Sequence, residues 1–99
     1  MKEKNNKLSE VLIYLEDIIK KRSMTKEKSY TSDLLAKGID RISQKVGEEA
    51  IEVVIASNKK QKKQVVYESA DLIFHLLVLW KKLNINNNEI ANELLKRKK

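Results

Sequence analysis

The chain has 99 residues, enough for one domain with a modest core and near the size at which a second copy helps bury apolar surface. It has no Cys and one His, which excludes a disulfide framework and a thiolate or multi-histidine zinc site. No Pro and only two Gly interrupt its helices. The net charge of +7 raises nucleic acid as a partner. Yet the lysines are scattered over tails and turns (Lys2, Lys4, Lys59, Lys60, Lys98, Lys99), no aromatic residues are interleaved with them, and no helix-turn-helix or RNA-binding signature is present. Nucleic acid is therefore not expected as the main partner, although a positive field would help gather a polyphosphate.

In chain order, residues 1–7 are charged and Asn-rich, with no secretory signal, and read as a flexible tail. Leu8, Val11, Leu12, Leu15, Ile18 and Ile19 recur at helical spacing and predict a first helix over about 8–22, its apolar side in the core. Ser23 to Thr31 is polar and reads as a loop. A second helix is predicted from Thr31 or Ser32 to about Ser57, with Asp33 in its first turn. Gly38 and Gly47 fall within that span. The first marks a bend. The second is either a close approach by another backbone or ligand, or a tolerated small residue.

Asn58 is a candidate cap for a third helix over about 59–83, and Asn86 with Glu89 three residues on has capping-box spacing for a fourth, ending near Lys96 and burying Ile90, Leu94 and Leu95. Residues 97–99 read as a second tail. The longest apolar run, Leu72 to Trp80, contains His75 and is too short to cross a membrane. The fold class expected is all-α, a four-helix bundle in one domain, without a membrane span.

Two clusters of acids lie inside these buried-looking helices. At 100° per residue, Arg41, Lys45, Glu48, Glu49 and Glu52 share one arc of the second predicted helix, and Gln64, Glu68, Asp71 and His75 share a narrow stripe of the third. Glu48 and Glu52 are like charges at i,i+4, which costs roughly 0.2–0.5 kcal/mol even on an exposed helix. Unpaired burial costs far more. A hard divalent cation between the clusters removes the problem, and an all-oxygen ligand set suits Mg²⁺ or Mn²⁺ better than zinc.

The pattern EExxE, fifteen intervening residues, then ExxD is similar to the metal-binding signature of the all-α MazG-like nucleoside triphosphate pyrophosphohydrolases. SYTSDLLAKGIDRISQKVGEEAIEVVIA (29–56) and ESADLIFHLLVLW (68–80) more narrowly resemble the phosphoribosyl-ATP pyrophosphatase family of histidine biosynthesis. The resemblance spans about Leu12 to Leu95. It implies Mg²⁺-dependent hydrolysis of phosphoribosyl-ATP to phosphoribosyl-AMP and pyrophosphate in the cytoplasm. It carries over Glu49, Glu52, Glu68 and Asp71 as metal ligands. Glu48 matches the first acid of the motif, as a ligand to a further metal, a group behind the ligands, or the one that orients the attacking water. Glu48, Glu49 and Glu52 are thus the candidate catalytic acids.

Lys37, Arg41 and Lys45 precede the acids at four-residue steps and are candidates for phosphate contacts. For Lys45 the alternative is an i,i+4 ion pair with Glu49. Tyr30 and Thr31 are candidates for ribose or base contacts, with a helix cap as the alternative for Thr31. His75, one turn beyond Asp71, either hydrogen-bonds an acid behind the metal or is a satisfied core residue. Phe74 and Trp80 read as core or subunit-interface residues. The third predicted helix is apolar over more of its circumference than a small monomer covers, and the resemblance implies assembly, so a homodimer is expected. Two other functions compete: a house-cleaning nucleoside triphosphate pyrophosphohydrolase, and a helical module whose basic surface binds nucleic acid.

Overall fold

The computed structural model describes residues 7–97, so the parts of the expected tails at 1–6 and 98–99 lie outside the described residues. Five helices follow one another: α1 Lys7–Met24, α2 Tyr30–Lys37, α3 Ile39–Asn58, α4 Lys62–Lys82 and α5 Asn87–Leu95. There is no strand among the described residues. The all-α expectation holds, with one more helix than predicted.

The extra helix comes from Gly38. Its φ of 92° and ψ of 178° lie in a region open in practice only to Gly, so the chain breaks there into α2 and α3 instead of bending within one helix. Helix α2 also starts earlier than predicted. Ser29, not Thr31, is the N-cap. Its Oγ accepts from the Ser32 backbone N–H at 3.0 Å, and Ser32 Oγ accepts from the Ser29 N–H at 2.9 Å. Thr31 is buried in the first turn.

Helices α3 and α4 form a tight antiparallel hairpin with the most extensive contact in the molecule. Asn58, predicted to cap α4, is the last residue of α3, and Gln61 stands at the N-cap of α4 without a side-chain bond. The turn is made by Lys60 at φ 56°. The Lys60 N–H donates to Ser57 O at 3.0 Å and the Gln61 N–H to Ala56 O at 3.3 Å, the paired bonds of a Schellman ending. Helix α4 ends the same way, with Asn84 at φ 60° and the Ile85 N–H donating to Trp80 O at 2.8 Å. The Asn86 and Glu89 box then opens α5 as expected, and Glu16 Oε2 accepts from the Asn87 N–H at 2.9 Å, tying α5 to α1.

The core is Ile19, Leu34, Leu35, Ile42, Leu77 and Val78, backed by Leu12, Leu15, Ile73, Phe74, Leu79 and Trp80. It thus draws on α1 to α4 and sits toward the open end of the hairpin. Several apolar residues are exposed: Leu8, Val11, Leu94 and Leu95, which were expected inside, and near the tip of the hairpin Ile51, Val54, Ile55, Val66 and Tyr67. No part of the described chain covers them.

Candidate active site

The hairpin sets the register of the acids. Glu49 and Asp71 lie eleven residues to either side of Lys60, Glu52 and Glu68 eight to either side. In an antiparallel pair, equidistant residues lie at the same level, and at the Glu49 level the acid of α3 meets Asp71 of α4. Ligand atoms of Glu49, Asp71 and His75 lie within 4.8 Å of one another. Glu49 and Glu68 are each 8% exposed, Asp71 is half-buried and Glu52 is exposed. Glu52 and Glu68 do not join the tight group of three.

Each acid has its own partners. Glu68 Oε2 accepts from Gln64 Nε2 at 2.7 Å, one turn back. Glu49 is paired with the Lys45 ammonium at 3.4 Å. The adjacent Glu48 turns outward, its side chain 48% exposed, toward Lys45 at 3.6 Å and Arg41 at 3.9 Å, and it accepts from Gln44 Nε2 at 3.1 Å. The i,i+4 pairing foreseen for Lys45 is present. Partial burial pulls the Lys45 pKa down, but it is outweighed by the neighbouring Tyr30 oxygen, by the hydrogen bond to and charge of Glu49, and by the charge of Glu48. The net result lies above the ordinary lysine value.

Lys37 is exposed on α2, on the other side of the Gly38 break from Arg41 and Lys45, so the four-residue ladder of cations does not run on one helix. Thr31 is buried, whereas Tyr30 is exposed. His75, 3% exposed, is bound on both ring nitrogens. Nδ1 lies 2.8 Å from the Asp71 carbonyl oxygen and 3.3 Å from Asp71 Oδ1, while Nε2 meets the Tyr30 hydroxyl at 2.8 Å. A carbonyl oxygen only accepts, so Nδ1 carries a hydrogen and donates. Nε2 is then the acceptor of the Tyr30 O–H. The Tyr30 contact was missed in the sequence, because nothing local links residues 45 apart.

The donor set fits a hard cation. Two carboxylates from opposite helices converge, a third lies buried one turn away, and Glu49 is buried with a single lysine as its counter-charge. With its near nitrogen protonated, His75 stands behind the acids instead of among the ligands. The remaining donors are all oxygens.

A family model described as phosphoribosyl-ATP pyrophosphohydrolase matches residues 12–98. The chain belongs to this family. A phosphoribosyl-ATP pyrophosphatase from Leptospira biflexa is 49% identical over 89 residues, covering 89% of this chain and 97% of the relative. One from Geotalea daltonii is 49% identical over 80 residues, covering 81% and 76%. The histidine biosynthesis bifunctional protein HisIE of Caldanaerobacter subterraneus is 53% identical over 91 residues, covering 91% of this chain but 44% of that protein. The chain thus spans less than half of the bifunctional relative and nearly all of the Leptospira one. No helix among the described residues is long and apolar enough to cross a membrane.

Proposed function

We propose that this chain hydrolyses phosphoribosyl-ATP to phosphoribosyl-AMP and pyrophosphate, the second step of histidine biosynthesis, in the cytoplasm and with Mg²⁺, for which Mn²⁺ can substitute. The observation that carries the reading is the meeting of Glu49 and Asp71 across the hairpin in a chain of this family. Glu49, Glu52, Glu68 and Asp71 would hold the cation. When bound, it supplies neutralisation of the polyphosphate oxygens and a lowered pKa for a water molecule.

The chain's own residues do the rest. Glu48, adjacent to Glu49 but turned toward Lys45 and Arg41, would orient the attacking water and take its proton on turning back toward the ion. Arg41 and Lys45, beside Glu48 and Glu49, would contact the phosphates. Lys37 on α2 would be a further phosphate contact, and Tyr30, exposed at the start of α2, would border the base or ribose, whereas Thr31 is buried. Burial keeps Glu49, Glu68 and His75 largely out of bulk water, so charge interactions there are stronger than at the surface. A second copy of the chain completes the assembly as a homodimer.

The test is a pyrophosphate-release assay with phosphoribosyl-ATP against ordinary nucleoside triphosphates, with Mg²⁺ and with chelator. Release from phosphoribosyl-ATP alone, lost on chelation, is expected. Equal rates on common nucleoside triphosphates would instead favour a house-cleaning pyrophosphohydrolase.

A further inference from the structure

We infer that Tyr30 is a positioning residue for the metal centre, its hydroxyl acting through His75 to hold the Asp71 carboxylate in place. The inference rests on the reading that these acids bind a divalent cation. Tyr30 is the first residue of α2, a helix that contributes no acid to the site. Its start is fixed by the Ser29 and Ser32 box and its end by Gly38, so the position of the hydroxyl is set from both ends of the helix.

From there one chain of contacts runs inward. The Tyr30 O–H donates to His75 Nε2 at 2.8 Å, and on the far side of the ring Nδ1–H donates to the Asp71 carbonyl at 2.8 Å, with Asp71 Oδ1 in contact at 3.3 Å. The imidazole is held edge-on by Phe74, with ring centroids 5.3 Å apart at 89°, and by Tyr30 itself at 5.8 Å and 84°. These aromatic contacts fill space around the ring but leave its rotation about its own axis to the two hydrogen bonds.

With His75 only 3% exposed, bulk water does not replace the phenol. Removing the hydroxyl leaves a buried acceptor without a partner, a loss that favours turning the ring and moving Nδ1–H away from the Asp71 carbonyl and from the carboxylate beside it. A carboxylate that loses the donor behind it is less well aimed at a cation.

The competing role for Tyr30 is direct contact with substrate, for which its 54% exposure is also suited. A double-mutant cycle separates the two. Mn²⁺ affinity of the substrate-free protein would be read by electron paramagnetic resonance for wild type, Tyr30→Phe, His75→Phe and the double variant, with circular dichroism melts confirming that each is folded. Tyr30→Phe should weaken Mn²⁺ binding about 10-fold, as loss of a partner behind a ligand typically does. It should have no further effect once His75 is Phe.

If His75→Phe fails to fold, His75→Asn serves in its place: it keeps a donor toward Asp71 with a side chain too short to replace Nε2, and Tyr30→Phe should be silent in that background. Wild-type Mn²⁺ affinity in Tyr30→Phe with only KM for the substrate altered would overturn the inference, as would additive losses in the double variant. Absence of saturable Mn²⁺ binding in the wild type would defeat the metal reading itself, and this inference with it.

Discussion

Glu49 and Glu52 are three residues apart on one helix yet meet different surroundings. Glu49 is buried against Lys45 and Asp71, whereas Glu52 is open to solvent. Their neutral isosteres should therefore separate function from stability. Glu52→Gln removes a surface charge and is expected to change unfolding free energy by less than about 0.5 kcal/mol. Asp71→Asn keeps an oxygen to accept from His75 Nδ1, and clustered negative charge is relieved, so the metal-free protein should be as stable as wild type or slightly more so. Both should abolish Mg²⁺-dependent pyrophosphate release and remove any rise in melting temperature on adding Mg²⁺. Thermal melts with and without the ion, alongside the activity assay, check this; a fully active Asp71→Asn would rule that acid out as a ligand. The structure brings Glu49 and Asp71 together and leaves Glu52 open to solvent; that both of the meeting acids lie on acid-bearing helical stripes was readable from spacing. The outward turn of Glu48 toward Arg41 and Gln44 was not, because adjacent helical residues differ by about 100° and only the position of the partner helix decides which one faces in.

Two turns decide how the helices are laid out, and neither carries chemistry. Gly38→Ala is expected to destabilise the protein by about 1–3 kcal/mol in urea unfolding, even though a Cβ there would meet nothing within 4 Å. The cost arises from its φ of 92°, not from crowding. Gly47→Ala, inside α3 with open space around it, should stabilise by up to about 1 kcal/mol. No other part of the described chain comes within 4 Å of a Cβ at Gly47, so its small size is not required by packing within the chain. Lys60→Gly should also stabilise, by roughly 0.5–1 kcal/mol, because a side chain now sits at φ 56° where Gly costs least. Helix existence and the Asn86 box were legible because they depend on local chemistry. The ends of α3 and α4 were read to within one residue, but the start of α4 was not, since a Schellman ending is recognised by a Gly and the one after α3 uses Lys60 instead.

For the molecule as a whole, the radius of gyration of 15.0 Å exceeds the roughly 13 Å of a compact chain of this length. Its accessible surface of 7666 Å² exceeds the about 5,800 Å² typical of a monomer of 11.5 kDa. Counted over two chains the excess is roughly 3,700 Å², within the range of an obligate homodimer interface. Ile51, Val54, Ile55, Val66 and Tyr67, exposed near the hairpin tip, supply an apolar patch for it. Sedimentation should accordingly give twice the chain mass, and Ile55→Asp should shift it toward the monomer with loss of cooperative melting. A wild-type monomer at micromolar concentration would refute the homodimer. Single-sequence periodicity marks an apolar face without saying what lies against it, so Leu8, Val11, Leu94 and Leu95 were expected in a core that the isolated chain does not extend to them.

The equal distances of the facing acids from Lys60 make the length of that turn a hidden constant of the site. If one residue were inserted between Lys59 and Gln61 and α4 took it up while the connection kept its form, every residue of α4 would move one place, putting Ala70 where Asp71 now stands. Leu77 and Val78 are on the same helix and would leave their places with it, so the site and the core would be disturbed together. A three-residue connection that touches no ligand is therefore held to its length as strictly as the carboxylates are held to their identity.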